Sequence, residues 1–265
     1  VSGVTVVGQG ASYSPDGLWF AFSARPSDDS AGPDIYVWRV GDAKARAVTK
    51  DHISVFASWV GARILGSRPD TTGPVTGAVA AKSFFIDPIT GTETAIAGGV
   101  WRPVVDPTGR WDVAWEGTVQ AGTQSHSVVP AAGSLVLRPF VADVGPDLSQ
   151  ASPAVIADGA APEFDVRWDV TGSWLAVWIA DPDAGSFGRL SLIHVDPATG
   201  RIDRPTGAPQ DVAALPGFSI ADGRLAWATP PGQGGEGSRV QIVAWTAESV
   251  GSVETAPERD VIVIH

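Results

Sequence analysis

A turn written Ser/Asp-Pro-x-Gly, followed at once by a strand with large apolar residues on both faces, recurs along this chain and constrains its fold more than any other feature. The first copy is "ASYSPDGLWFAFSARP" at residues 11–26, where Trp19 falls on one face of the strand and Leu18, Phe20 and Phe22 on the other. A hairpin on a protein surface alternates apolar and polar residues. Here neither face suits water, so both must be covered.

Aligned on the turn glycine, the phrase reappears as "VVDPTGRWDVAWEG" at Gly109 and "RWDVTGSWLAVWIA" at Gly172, with weaker copies "ASWVGARILGSRP" at Gly61 and "SIADGRLAWATP" at Gly223. Spacings of 44, 48, 63 and 51 residues between these glycines are those of a propeller blade or a similar repeat. Ser14-Pro15-Asp16-Gly17 and Asp106-Pro107-Thr108-Gly109 place Ser or Asp first, Pro second and Gly fourth, which is the chemistry of a type I turn. Beyond the glycine, Trp111, Val113 and Trp115 share one face, as do Trp174, Ala176 and Trp178.

A second turn family follows each pair. "FFIDPITGTETAI" (84–96) and "LSLIHVDPATGRID" (190–203) read as hairpins with Asp-Pro-x-Thr-Gly loops, and residues 34–49 and 239–255 occupy the same place. Each repeat therefore reads as four strands in two hairpins. No segment sustains a helical period; "GDAKARAVTK" comes nearest and sits where a hairpin must close. Strands apolar on both faces are what face-to-face stacking of blades around an axis requires.

The reading is an all-β, five-bladed β-propeller of four-stranded antiparallel blades filling residues 1–265 as one domain. The blades run approximately 11–53, 54–100, 101–160, 161–212 and 213–265. The third is long enough for six blades to be the alternative. Its stretches "VQAGTQSHSVVPAAGS" and "FVADVGPDLSQASP" read as long loops, which are uncommon without a purpose. The strand at residues 4–7 has no partner in its own blade and is expected to close the ring on the last one, near residues 260–265.

The phrase x-x-Ser-Pro-Asp-Gly-x-x-aromatic-Ala-Phe-x-Ser, with "DIYVW" after it, resembles the WD40-like repeat of the TolB family of β-propellers. The first blade matches closely, the third and fourth in part, the second and fifth in pattern only. That resemblance implies a propeller and an extracytoplasmic setting in bacteria. It does not name a ligand, because propellers serve as enzymes, scaffolds and sensors alike.

Composition narrows the remaining classes. A net charge of −11 repels a phosphate backbone or an anionic membrane surface, so nucleic acid is not an expected partner. The absence of Cys removes disulfides, thiolate metal sites and a cysteine nucleophile. The four histidines, His52, His126, His194 and His265, show no metal-ligand spacing and read as strand or surface residues, His194 as a buried one. No metal and no cofactor is expected. The longest wholly apolar stretch, residues 174–180, is far short of a membrane span, so a membrane is expected only through a segment outside this chain. With no Met at its start, the chain reads as following a signal peptide or a membrane span.

No G-x-S-x-G elbow occurs, and "GFSIA" at 217–221 lacks its second glycine. Arg102 and Arg167 sit just before turn phrases, on what would be innermost strands, with Trp101, Trp168 and Phe56 nearby; arginine among aromatics suits a carboxylate or an acidic peptide. The competing reading pairs the arginines with Glu163 or Asp165 to pin neighbouring blades. Glu116, Glu163, Asp165 and Asp169 are the carboxylates near inner strands, and two of them at glycosidase spacing would make an enzyme. Asp169 matches the turn position of Asp106. Eleven tryptophans invite a carbohydrate reading, but most fall where stacked strands bury them. The expected function is therefore a non-catalytic binding or sensing module for a protein, a peptide, or a small anionic or carbohydrate ligand; a glycosidase-like enzyme is the alternative.

Overall fold

The turn phrase folds as its chemistry requires. In the computed structural model, which describes residues 3–96, 98–124, 126–140, 153–159, 163–183, 187–232, 237–246 and 249–256, all five turn glycines lie in the left-handed region, with φ of 70° at Gly17 and 71° at Gly172. Gly17 N donates to Ser14 O (2.8 Å), and the Ser14 hydroxyl donates to Asp16 Oδ1 (2.5 Å) while accepting from Trp19 N (3.0 Å). At the fourth copy Asp169 does the same work, accepting from Ser173 N and Trp174 N through Oδ1. These bonds are local, so four or five residues suffice to specify each turn.

The described residues form twenty-one strands and no helix, and every ladder is antiparallel. The first sheet runs β1 (Val4–Tyr13), β2 (Trp19–Pro26), β3 (Asp34–Arg39) and β4 (Arg46–Ala47). Next come β5 (Val55–Val60), β6 (Arg63–Pro69), β7 (Val79–Ile86) and β8 (Glu93–Ala95), then β9 (Trp101–Val105), β10 (Trp111–Ala121), β11 (Val128–Pro139) and β12 (Ala154–Asp158). These two groups fuse into one eight-stranded sheet, because Thr118 and Val119 of β10 pair with Ala80 and Val79 of β7. A five-stranded sheet contains β13 (Phe164–Trp168), β14 (Trp174–Ala180) and β15 (Gly188–Val195), with β16 (Ile202–Asp203) and β17 (Val212–Ala214) both on the edge of β15 away from β14. The last sheet is β18 (Phe218–Ala221), β19 (Arg224–Ala228), β20 (Val240–Ala244) and β21 (Glu254–Thr255). The strands fall into two compact units, Val1–Val105 with Gly109–Ala161, and Asp106–Thr108 with Pro162–His265.

Within the first unit, Ala21, Ile35 and Val37 of the first sheet pack on Phe56, Ile64, Phe84 and Ile86 of the next group. Within the second unit, Trp174, Trp178, Leu190 and Leu192 pack on Phe218, Leu225, Trp227 and Val243. Each large side chain buried this way stabilises by roughly 1.5–3 kcal/mol. Within each unit neighbouring sheets cover one another, and the strands between them need apolar residues on the covered faces.

Two polar joints recur between these layers. Six residues after the turn glycine, Ser23 accepts from Phe56 N (2.8 Å) and Ser67 from Arg102 N (3.0 Å), fastening one group of strands to the first strand of the next. A second joint ties the third strand of a group to the segment after its fourth. Asp34 engages Thr49, Ser83 both donates to and accepts from the backbone of Val100, and Ser191 engages Asp211. Each satisfies backbone or side-chain groups that would otherwise be buried without partners.

Two sequence expectations are corrected. Residues 4–7 are not an orphan strand: they pair with residues 23–26 of β2, as the first part of β1. The register shift between Val7 and Ser12, around Gly8 at φ 76°, breaks the alternation and hides this continuity. Their expected partner, residues 260–265, lies outside the described residues. The stretch "VQAGTQSHSVVPAAGS" is not a long loop but the distal half of the β10–β11 hairpin, paired from Val119 with Pro130 to Ala121 with Val128. Most of "FVADVGPDLSQASP" lies outside the described residues.

Candidate functional site

Asp34 opens β3 with a side chain that is only 7% exposed, and its partners define a site in the first unit. Oδ1 accepts from the Thr49 hydroxyl (2.9 Å) and from His52 N (3.2 Å), while Oδ2 lies 2.8 Å from His52 Nδ1. Thr49 Oγ1 in turn accepts from Ile35 N (2.9 Å), so the pair is tied to the strand itself. A carboxylate accepts and does not donate, so His52 Nδ1 carries the proton and Nε2 is the nitrogen left for another partner. The His52 side chain is 56% exposed, so a buried carboxylate aims a solvent-facing imidazole.

The backbone around this pair is strained. Among the described residues, six other than glycine have positive φ, and three of them meet here: Asp29 at 56°, His52 at 60° and His126 at 55°. His126, near the tip of the β10–β11 hairpin, places Nε2 3.0 Å from Asp29 O, which makes Nε2–H the donor. The Asp29 carboxylate is held by Arg25 Nε (2.9 Å). Gly32 lies between the two histidines: a Cβ there would stand 2.1 Å from His52 O and 3.4 Å from the Cβ of His126. Only glycine admits both neighbours, and strain of this kind persists where the surroundings over-determine it.

The residues singled out from sequence are divided between the units. In the first, Phe56 and Trp101 are 2% and 3% exposed and form part of the core. Arg102 is half-buried on β9, with φ 50° and its N–H donated to Ser67. In the second, Arg167 donates Nη1 to Phe218 O, lies over the Phe218 ring (4.9 Å), and sets Nε 3.3 Å from Asp165 Oδ2. This is the arrangement of a pin between β13 and β18, with a buried Asp165 as its carboxylate. Trp168 is half-buried on the same strand, and Glu163 is exposed just ahead of it.

Among the other carboxylates, Asp169 is absorbed by its turn, with Thr171 Oγ1 2.6 Å from Oδ2. Glu116 lies exposed on β10, 3.8 Å from Arg138. His194 differs from its expected burial: its side chain is 35% exposed, stacked edge-on at 5.0 Å from Trp174. Among the described residues no group of three or more His, Cys, Asp or Glu is placed to hold a metal ion.

Sequence reading missed the convergence of His52 and His126. A signal for His52 exists: a carboxylate at a buried strand position, as Asp34 is, demands donors nearby. No comparable signal marks His126, 97 residues from the carbonyl it meets.

No protein-family model matches the chain, and no curated protein matches its sequence. Solved structures do. TolB from Acinetobacter baumannii superposes with a TM-score of 0.51 at 13% identity, over 94% of this chain and 55% of that one. A prolyl endopeptidase superposes with a TM-score of 0.53 at 14% identity, over 97% of this chain and 38% of that one. The chain thus spans about half the length of the first and well under half of the second. It has a TolB-like β-propeller fold. At such identity the likeness concerns the fold alone.

Proposed function

We propose that this chain is a non-catalytic binding propeller that recognises a protein or peptide at the cluster of Asp29, His52 and His126. The observation that carries the reading is the His52 imidazole, exposed, fixed by a buried carboxylate and set on strained backbone. An oriented Nε2 accepts a hydrogen bond from a peptide N–H or a side-chain donor without first losing rotamer freedom. The fold does not choose between binding and catalysis, since one solved relative is a TolB and another a peptidase. Against a glycosidase-like reading stand the candidate carboxylates already engaged, Asp165 by Arg167 and Asp169 by its turn. An extracytoplasmic setting follows from the resemblance of the turn phrase and belongs to the same proposal.

The test is a random peptide library displayed on phage, panned on the wild-type chain and counter-screened on His52→Ala. Peptides that bind the wild type and lose at least about tenfold in affinity on His52→Ala support the reading, each tenfold being about 1.4 kcal/mol. No enrichment, or peptides indifferent to the substitution, overturns it.

A further inference from the structure

Among the described strands that open a group, β1 is the one that outruns its neighbours. It has ten residues, against six in β5, five in β9 and in β13, and four in β18. Between Val7 and Ser12 it advances five residues while β2 advances two, a bulge around Gly8 that divides it into two halves. The second half is tied into the next group: Ser12 O accepts from Trp59 Nε1 (3.0 Å), and a Cβ on Gly10 would stand 3.3 Å from Phe56 O. The first half, residues 4–7, pairs among the described residues with β2 alone.

The phase of that pairing is fixed by Ser27 N, which donates to Gly3 O (3.1 Å). Residues of an antiparallel ladder alternate, so Thr5 and Val7 engage Arg25 and Ser23 with their backbone N–H and C=O, while Val4 and Val6 turn theirs off the sheet. Pro26, opposite Val4, has no N–H to give and fits that phase. Val4 and Val6 thus present two donors and two acceptors in a row along an edge that no described strand covers. Natural edges are blunted by charged residues or proline, and Val4-Thr5-Val6-Val7 carries neither. The Val6 side chain is 56% exposed beside them.

The edge also states what would fill it. Val4 and Val6 share a face with Ala24, so a strand laid beside them meets an apolar row and is itself apolar at alternate positions. The net charge of −11 repels a second copy of the chain, and Asp28, exposed just past Pro26, sets a negative charge near the end of the edge. Both favour basic residues at the ends of the incoming segment. We infer that residues 4–7 take up an extended segment of a partner protein as an added β-strand, apolar at alternate positions and flanked by basic residues. This surface is separate from the His52 cluster, because His52 follows β4 at the opposite edge of the same sheet, and the inference does not rest on the binding reading above.

Amide hydrogen exchange and peptide binding on the whole chain test it, with a synthetic peptide of alternating threonine and valine, lysines at both ends, as the probe. In the free chain the amides of Val4 and Val6 should exchange well ahead of those of Thr5 and Val7, and saturating peptide should slow them at least about tenfold. Val6→Pro removes an outward donor without touching the ladder to β2, so it should weaken peptide binding at least about tenfold and leave exchange elsewhere in the chain unchanged. The same peptide N-methylated throughout should not bind, and one flanked by glutamates should bind more weakly. Val4 and Val6 amides as protected in the free chain as those of Thr5 and Val7 mean that the edge is already filled, by another part of this chain or by a second copy, and overturn the inference. A parent peptide that does not bind, or whose binding survives Val6→Pro or N-methylation, overturns it too. Binding lost on His52→Ala and kept on Val6→Pro refutes the edge and leaves the His52 reading standing.

Discussion

The joint at the start of β3 and the joint in the middle of β15 both tie a third strand to the segment that follows the fourth, yet the acid and the hydroxyl have exchanged sides. In the first, Asp34 on the strand accepts from Thr49 and His52 on the following segment. In the second, Ser191 on the strand donates to Asp211 Oδ1 (3.2 Å) and accepts from Asp211 N (2.9 Å). His52 and Asp211 correspond: each has a positive φ, 60° and 50°, and each gives its N–H to the strand residue. The difference follows from where the charge sits. A buried hydroxyl is satisfied by two local partners, whereas a buried carboxylate requires several donors. That requirement recruits the His52 imidazole and gives one joint a chemistry the other lacks.

The largest expected effect separates the two joints. Asp34→Ala should destabilise by about 3–4 kcal/mol, since it strands the Thr49 hydroxyl and two donors of His52; Ser191→Ala should cost about 1 kcal/mol. Equal shifts in urea midpoint would break the comparison. A second buried carboxylate sharpens it: Arg167→Ala removes the guanidinium beside Asp165 and should cost roughly 2–3 kcal/mol, as uncompensated buried charge does. If Arg167 serves a ligand instead, the melting temperature will stay within a few degrees.

A local element should matter less than either charge. Gly172→Val forces a β-branched residue to a φ of 71° and should cost about 1–3 kcal/mol, which denaturant melts would show. An unchanged midpoint would show that the turn tolerates a side chain. The smallest effect comes from the two Asp-Pro-x-Thr-Gly turns, one in each unit. Backbone N–H groups of Thr90 and Ile89 hold the Asp87 carboxyl below 3.8, and those of Ala198 and Thr199, with the Thr199 hydroxyl, do so for Asp196. A folded pKa below the unfolded one stabilises above the unfolded value and loses that contribution as pH falls through the folded value. Both carboxyls should titrate alike by NMR, below the ordinary aspartate range; titration of either at its ordinary value would show that its turn opens in solution.

The sequence alone determined the turns and the two-faced strands. Gly17, Gly109 and Gly172, the Ser14 and Asp169 side chains that close their own turns, and the alternation of Trp111, Val113 and Trp115 act within a few residues, where spacing maps directly onto geometry. It could not register that β1 runs through Gly8, because a bulge breaks the period that reveals a strand. It could not extend the β10–β11 hairpin either, since beyond the buried Val119 small and polar residues interrupt the alternation. It proposed Arg167 and Asp165 both as a ligand site and as a pin, and only the position of Phe218 beside them distinguishes the two arrangements. The candidate site was decided by tertiary structure entirely. Asp29, His52 and His126 meet through contacts 18 to 97 residues apart, and such contacts depend on how strands stack, a property that no local run of residues encodes.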